Sequence, residues 1–250
     1  MEAKVSIIIP VFNNLKGLKK TVESIKNQTF TDFEVWIIDG KSSEETQIYL
    51  QKLTSPFYYQ SEKDKGIYDA MNKGITLSKG NWLYFLGSGD VLNNKRSLED
   101  TFSNSIPKNA SLIASKIVYK GTTKPFIHSK KKIVKTPSWS FSIWLRNSLH
   151  HQGTFYKREV FLDDRYPLEY PVLSDYWFNL LLFKKRISCY FVDQIIAICN
   201  ADGVSKSGTW KIYKEEVRLK INHSSVLFSP LFYSIVFVKF VLRKFINGQF

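Results

Sequence analysis

The sequence predicts an α/β fold, in which helices flank a mostly parallel central sheet and an amphipathic helical tail follows. In the first half of the chain, β-rich and helix-like segments alternate regularly. The strand segments are continuous apolar runs, a pattern typical of parallel strands that helices cover on both faces. With 250 residues, the chain is also long enough to bury a sizeable core in a single domain.

Strand–helix units fill the first part of the chain. Within the first helix, Leu15, Leu18, Val22 and Ile25 recur at intervals of three and four residues, which predicts a stripe facing the core. Repeated strand–helix alternation indicates βαβ units and a doubly wound sheet. We expect strands over residues 4–10, 33–39, 57–61 and 81–86, with helices over residues 14–28, 42–53 and 66–80.

The second half is less regular but continuous with the first, and no low-complexity linker separates them. Residues 1–205 are therefore predicted to form one domain with halves 1–105 and 106–205, followed by basic amphipathic helices over 206–250. The second half is expected to contain strands at 111–121, 124–135 and 153–159, a short helix at 140–147 and a clear helix at 174–186.

The charge of the chain narrows the class of partner. Its 36 Lys and Arg against 22 Asp and Glu give a net charge of +14, which favours an anionic ligand, nucleic acid or membrane surface. A nucleic-acid-binding module would explain the charge and the aromatic content, but not carboxylates at the edge of a sheet, so nucleic acid is not the expected partner. Cys189 and Cys199 lie outside any CxxC pattern, which argues against a zinc site and fits a reducing compartment.

The tail, residues 206–250, holds eight Lys or Arg against two Glu, a balance of +6. The pattern from Leu231 to Ile246 is apolar nearly all round, while Lys239 and Arg243 stand four residues apart. This pattern predicts a helix lying in a membrane interface with its basic side toward anionic headgroups. Packing on the domain's own core or on a second subunit is the alternative. The apolar run 226–242 is expected to be too short to cross a bilayer.

Polar loops follow four strands of the first half. They contain Asn13, the turn after Asp39, the segment from Ser61 to Gly74 and the turn that ends at Asp90. Because the carboxyl ends of parallel strands meet at one edge of the sheet, we expect a ligand to bind there. No GxGxxG turn follows the first strand, which argues against a dinucleotide site, although a nucleotidyltransferase on a related sheet is a possible alternative.

The ordered segments "VSIIIPVFN", "DGKSSEET", "GIYDAMNKGI" and "KGNWLYFL" resemble the family 2 glycosyltransferases, whose A-type fold binds nucleotide-diphosphate sugars. The resemblance covers residues 4 to 205 and is closest to the branches that build bacterial exopolysaccharide, capsule or lipopolysaccharide. It implies an inverting enzyme that transfers one sugar, and the family's processive Gln-x-x-Arg-Trp element is missing. The basic aromatic tail is expected to dock such a cytoplasmic enzyme peripherally on the inner face of the cell membrane.

On the donor side, the resemblance implies that Asp39 reads the base of a UDP-sugar and that Asp90 holds Mn²⁺ or Mg²⁺. The family's first metal-binding aspartate is replaced in the segment 87–90. Gly40 and Lys41 also depart from the family pattern, and Lys41 could meet a phosphate. The implied nucleotide-sugar-binding residues are Pro10, Phe12, Asn13, Asp39, Lys65, Gly66, Asp69, Asn72, Ser88, Gly89 and Asp90.

On the acceptor side, the resemblance implies that Asp175 is the catalytic base, because an acceptor hydroxyl must lose a proton as it attacks. Ser174 stands where the family has glutamate, and capping of the helix that follows is the structural alternative for both residues. His151 and Gln152 match a His-Gln element that contacts the acceptor, a glycan or lipid-linked glycan. Asp202 and Gly203 resemble a loop that closes over the donor diphosphate.

Overall fold

The computed structural model describes residues 4–103, 106–120, 134–200 and 208–246. The strands are β1 (Val5–Val11), β2 (Phe33–Asp39), β3 (Phe57–Ser61), β4 (Trp82–Phe85), β5 (Val91–Leu92), β6 (Leu112–Lys120), β7 (Val134–Lys135), β8 (Thr154–Lys157) and β9 (Cys189–Asn200). The helices are α1 (Leu15–Lys26), α2 (Glu44–Gln51), α3 (Ile67–Leu77), α4 (Ser97–Phe102), α5 (Ser174–Lys184), α6 (Trp210–His223) and α7 (Ser229–Ile246).

The described strands form one sheet in the order β3-β2-β1-β4-β8-β6-β9-β5, with β7 paired to β6. The first four of these are parallel, with Ile7 of β1 opposite Val35 of β2 and Tyr84 of β4. In the second half, β8 runs antiparallel between β4 and β6, while β9 is parallel to β6. The predicted α/β fold with a mainly parallel central sheet is confirmed.

The apolar strands are buried because helices cover both faces of the sheet. Alternate residues of a strand point to opposite faces, so Ile7 packs with Leu18 and Val22 of α1, whereas Ile8 packs with Met71 of α3. All residues of β1 are buried, as the continuous apolar run predicts.

The irregular second half differs from its prediction in detail. The expected helix at 140–147 is a 3₁₀ turn, Phe141–Trp144, and a second 3₁₀ turn, His151–Gly153, leads directly into β8. Of the strand expected at 124–135, the structure describes only β7. These segments are set by long-range pairing of β8 with β4 and β6, which local patterns do not encode.

The tail packs on the domain through α6. One carboxylate oxygen of Glu215 accepts hydrogen bonds from the backbone N–H groups of Val172 and Leu173, at 2.9 and 2.7 Å, immediately before α5. A carboxylate at a helix N-terminus satisfies N–H groups that have no partner within the helix. Because residues 201–207 are outside the described part of the chain, the domain boundary at 205 stays a prediction.

A buried ionic cluster joins α6 to α7. The ammonium groups of Lys220 and Lys239 both lie 2.5 Å from Oε1 of Glu216, and Lys220 is fully buried. Burial, reinforced by the charge of Lys239, lowers the pKa of Lys220 to about 8. Two cations therefore share one carboxylate at this contact.

Two expectations for the tail are corrected. Val226–Phe245 forms a continuous helical segment of 20 residues, which by length and composition alone could cross a membrane, so the predicted length was too short. In addition, Lys239 and Arg243 face the body of the protein. Lys239 donates to Glu216 and to the Leu145 carbonyl, and Arg243 hydrogen-bonds to Tyr213.

Candidate active site

The loops after β1 and β2 are bonded to each other at the carboxyl edge of the sheet. The Asn13 N–H donates to Oγ of Ser42 at 2.7 Å, and the Ser43 N–H donates to Oδ1 of Asn13 at 3.0 Å. Asn13 and Lys41 both adopt left-handed backbone angles, with φ of 48° and 66°. Such angles are costly without local support, and the paired loops therefore form a fixed rim around the edge.

Asp39 ends β2 directly beneath this rim, where it is fully buried. Its carboxylate accepts hydrogen bonds from the Ser42 N–H, from Nε2 of Gln47 at 2.6 Å and from Oγ of Ser61 at 2.6 Å. These contacts tie the ends of β2 and β3 to the start of α2. In this arrangement Asp39 positions the rim, and its direct contact with a base stays a prediction.

A second carboxylate, which sequence reasoning missed, lies above the same edge. A Cβ atom added to Gly40 would come within 2.6 Å of Oδ2 of Asp64 and 3.2 Å of the Phe12 ring, so both side chains pack over the Gly40 backbone. Phe12 is 64% exposed, an unusual state for a large aromatic residue at the end of a buried strand. Pro10, in contrast, is buried within β1.

The segment after β3 begins with exposed residues and continues into α3, which is anchored to the rest of the domain. Gly66 is exposed with φ of 120°, and its N–H donates to Asp64. The Lys65 N–H donates to Asp69, which also pairs with Lys73. Further along α3, both ends of the Asn72 amide bond to the Tyr166 backbone. Asn72 therefore anchors α3, and its predicted donor contact stays a prediction.

The turn that delivers Asp90 is held by α1. Asn14, the residue that caps α1, donates to the Ser88 carbonyl at 2.8 Å. The Thr21 hydroxyl accepts from the Gly89 N–H and donates to the Asp90 carbonyl, at 2.9 and 2.7 Å. Gly89 adopts φ of 107°, a conformation that L side chains rarely take. Gly87 also leaves room that a Cβ would fill, 2.7 Å from the Asp90 carboxylate.

Asp90 itself is 6% exposed. Its Oδ1 accepts from the Asn200 N–H at 2.8 Å, and its Oδ2 lies 3.3 Å from Nε2 of Gln152. The described residues contain no group of three or more His, Cys, Asp or Glu side chains that could hold a metal ion. A hard divalent ion could take one oxygen from Asp90 and the rest from phosphate and water, so these residues fit a metal that arrives with a phosphorylated ligand.

Asp175 lies in the first turn of α5, where it is 9% exposed. Its Oδ1 accepts from the hydroxyl of Tyr68 at 2.9 Å, and its Oδ2 lies 3.2 Å from the amide of Asn147 and 3.3 Å from Nδ1 of His151. Burial acts to raise the pKa of Asp175, but the hydrogen bonds from His151 and Tyr68 and the potential of the nearby histidines lower it below its ordinary value.

His151 and Gln152 connect the two carboxylates. They are consecutive residues of one 3₁₀ turn, and the first contacts Asp175 while the second contacts Asp90. The turn is fixed from below, because the Tyr84 hydroxyl donates to the Gln152 carbonyl at 2.7 Å. Since the Asp175 carboxylate is ionised, Nδ1 of His151 carries the proton it donates. Nε2 of His151 has no hydrogen bond to the described residues and is not among their buried unpaired polar atoms, so it is at least partly accessible.

The remaining predicted residues have structural contacts or lie outside the description. Ser174 is fully buried and donates to the Pro167 carbonyl, so its acceptor contact stays a prediction. Asp202 and Gly203 are outside the described residues. The sequence also gave no signal for Asn147 and Tyr68 as partners of Asp175, because they come from distant segments.

Comparisons with known proteins give the family of the chain. Residues 6–187 match the model of glycosyl transferase family 2. A PGL/p-HBAD biosynthesis glycosyltransferase of Mycobacterium bovis is 31% identical over 191 residues, which cover 72% of this chain and 69% of the relative.

Solved structures share the fold. S. aureus TarS 1-349 in complex with UDP-GlcNAc gives a TM-score of 0.66 at 18% identity, covering 97% of this chain and 72% of that one. The mannosyltransferase PcManGT of Pyrobaculum calidifontis, in complex with GDP-Man and Mn²⁺, gives a TM-score of 0.64 at 12% identity, covering 100% and 75%. At these identities the similarity shows the fold alone.

Proposed function

The chain belongs to glycosyl transferase family 2 and is a nucleotide-sugar-dependent glycosyltransferase, and from this premise we propose that it inverts the sugar it transfers. The proposed donor is a UDP-sugar, and the proposed acceptor is a glycan or lipid-linked glycan of surface polysaccharide or glycolipid synthesis. The observation that carries the proposal is the 3₁₀ turn at His151 and Gln152, which contacts a donor-side and an acceptor-side carboxylate with consecutive side chains.

We assign the nucleobase of the donor to a subsite formed by Phe12, Gly40 and Asp64. The exposed Phe12 ring offers an apolar surface on which a planar base can stack. The Asp64 carboxylate beside it accepts hydrogen bonds only, which suits the imide N–H of uracil. Asp39 supports this subsite from below through Ser42 and Ser61. A relative of the same fold is described in complex with UDP-GlcNAc, which favours a uridine donor.

We assign the diphosphate of the donor to the turn 87–90. Asp90 would hold a divalent cation there together with the phosphates, and that cation would act as a Lewis acid on the leaving diphosphate. The Asn200 N–H and the Gln152 amide, which both point at the carboxylate, hold Asp90 in its orientation. A structural relative is described with GDP-Man and Mn²⁺, which supports this role of a cation.

The acceptor hydroxyl is deprotonated on the other side of the turn. Asp175, the proposed source of basicity, has both carboxylate oxygens occupied by donors of the protein. We therefore propose that the proton is taken at Nε2 of His151, while Asp175 holds the Nδ1 proton and stabilises the imidazolium that forms. This division of roles follows the logic of other carboxylate–histidine pairs.

The transfer step forms one bond and breaks one bond at the anomeric carbon of the donor sugar. The acceptor oxygen forms a bond to the anomeric carbon as the bond from that carbon to the diphosphate oxygen breaks, and the diphosphate leaves with the electron pair. The hydroxyl proton passes to Nε2 of His151 and then to solvent. Because attack and departure take place on opposite faces of the sugar, the configuration inverts.

Isothermal titration calorimetry against UDP, GDP, CDP and ADP, each with and without Mn²⁺, tests the donor proposal. We expect the tightest binding for UDP with Mn²⁺, followed by transfer from one of several UDP-sugars. Equal binding of all four nucleotides would contradict the base subsite at Phe12 and Asp64. Release of pyrophosphate from UTP when a sugar phosphate is added, with formation of the UDP-sugar and no sugar transfer, would instead favour a nucleotidyltransferase.

A further inference from the structure

Helix α7 has an apolar outer face that no described residue covers. Every exposed side chain between Ser229 and Phe245 is uncharged, and those of the outer face are Leu231, Tyr233, Phe237, Val238, Leu242 and Phe245. Exposed apolar surface of this extent on one helix marks a contact with another apolar phase. Lys239 and Arg243 lie on the other side, where they contact the body of the protein, whereas Lys244 follows Phe237 by seven residues and flanks the outer face.

The inner face of α7 holds the helix along the body of the protein. Phe232 and Val236 pack against Tyr213 and Val217 of α6. Lys239 adds an ion pair with Glu216, beside the buried Lys220. A helix that crossed a bilayer would leave these partners and expose the ionic cluster to hydrocarbon. The packing therefore favours a helix that lies in the plane of a membrane.

The apolar surface continues from α7 onto the 3₁₀ turn Phe141–Trp144. Trp144 stacks on Phe232 with ring centroids 6.2 Å apart, while the neighbouring Phe141 and Leu145 are 76% and 52% exposed. Beside them opens a cavity of about 460 Å³, lined by Trp139, Trp144, Phe183, Lys184, Arg186 and Ile187. Aromatic walls next to two cationic side chains suit an amphiphile with an anionic head.

We propose that the outer face of α7, together with Phe141 and Leu145, rests in the headgroup region of an anionic bilayer. The charge of the chain, +14, and the exposed Lys211 and Lys214 of the adjoining α6 favour anionic lipid over a second copy of this cationic chain. Because both described cysteines are free, the proposed site of docking is the cytoplasmic face.

The position of this surface deepens the proposed function, on which the following step rests. Leu145 precedes Asn147 by two residues, and the Asn147 amide contacts Asp175. The membrane-facing surface thus leads into the acceptor side of the site. We infer that the acceptor is carried on a lipid and enters along this segment, rather than from bulk solvent.

Flotation of the full chain with vesicles tests the docking. Wild type should float with vesicles that contain phosphatidylglycerol and much less with pure phosphatidylcholine. The triple variant Leu231→Gln, Val238→Gln, Leu242→Gln should lose roughly tenfold or more of its vesicle affinity, since it removes apolar area without changing charge. A matched control, Ile48→Gln, Leu162→Gln, Leu168→Gln, alters three exposed apolar residues elsewhere and should float like wild type.

Binding of UDP with Mn²⁺ is measured on the same variants, so that docking and donor binding are tested apart. Unchanged UDP binding with lost flotation supports the docking surface. Unchanged flotation of the α7 variant would overturn the proposal. It would also be overturned if light scattering showed a wild-type dimer and a monomeric α7 variant, because the outer face would then be a dimer interface. Protease added outside sealed vesicles provides a further test. If it failed to remove a C-terminal tag, the helix would cross the bilayer and the proposal would be overturned.

Discussion

Nδ1 of His151 lies 3.3 Å from Oδ2 of Asp175, on the proposed acceptor side of the candidate site. A carboxylate whose pKa is lowered stays ionised at neutral pH, and it fixes the proton of the imidazole on the nitrogen that faces it. The other nitrogen is then a lone-pair acceptor. In the proposed mechanism this relationship makes the pair, and not either residue alone, the basic group of the site.

Asp175→Asn should lower sugar transfer by roughly 10²-fold or more, the usual scale for loss of a general base. Asparagine keeps the size of the side chain and one oxygen for Tyr68, so the fold and UDP affinity should barely change. Steady-state transfer and calorimetry on the same preparation measure both. A variant that transfers at nearly the wild-type rate would show that Asp175 has no part in catalysis.

His151→Asn separates positioning from proton transfer. Asparagine can still donate to Asp175 from a place close to that of Nδ1, but it cannot accept a proton in place of Nε2. Transfer should therefore fall by roughly 10²-fold, and added imidazole should restore part of the rate of His151→Ala. If His151→Asn keeps full activity, Asp175 itself takes the proton and the histidine only orients it.

Asp90→Asn tests the cation. The amide oxygen can still accept from the Asn200 N–H, so melting temperature should change little, whereas the negative charge that a divalent ion needs is gone. Wild type should bind UDP more tightly with Mn²⁺ than in chelator, and the variant should show no such difference. Equal binding in both conditions for wild type would exclude the role of Asp90 as a metal ligand.

Asp64→Asn should weaken UDP binding by roughly tenfold, the effect of losing a charge-assisted hydrogen bond. Asp163→Asn removes the same charge at an exposed position and is the matched control. The affinities for UDP and CDP distinguish a specific hydrogen bond from a general charge effect, because CDP lacks the imide N–H that is proposed to donate to Asp64. A loss of the same size for both nucleotides would point to a general electrostatic effect.

The Lys220–Glu216–Lys239 cluster predicts opposite outcomes for two substitutions. Glu216→Gln leaves two cations without their carboxylate and should cost about 3–5 kcal/mol of unfolding free energy, whereas Lys220→Met should be neutral or stabilising at pH 7. Lys220 has a pKa near 8 when folded and an ordinary value of 10.5, so the unfolded chain binds more protons between these values. Stability contributed by Lys220 thus rises with pH across that window, and Lys220→Met should lose this rise in denaturant titrations.

Local patterns were sufficient to predict the parallel half of the sheet. Largely apolar runs identified β1 to β4 within two residues of their ends. The signal is clearest for β1 and β4, whose residues are all buried, because strands covered on both faces need few polar positions. The antiparallel insertion of β8 between β4 and β6 could not be predicted in this way. Its four residues pair with segments about 40 and 70 positions away, and a pattern within the strand carries no record of its neighbours.

The sequence indicated candidate site residues where a loop follows a predicted strand, and it carried no signal where contacts come from distant segments. Asp90 and Asp175, which the family resemblance singled out, lie beside one turn. Asp64 reads as an ordinary solvent-exposed charge, since nothing local shows that Gly40 leaves space for it. The direction of Lys239 could not be predicted either, because a basic residue on an apolar helix can face lipid headgroups or a buried partner such as Glu216.

The Tyr84 hydroxyl, which donates to the Gln152 carbonyl from β4, is a spacer between the two proposed halves of the site. The proposed nucleotide-side residues follow β1–β4, whereas Asn147 and His151 of the proposed acceptor side precede Gln152. An engineered variant with altered acceptor-side residues should therefore keep the Tyr84–Gln152 hydrogen bond, so that the spacing between the two halves is retained. A deletion of a single residue inside the 3₁₀ turn would shift both halves at once.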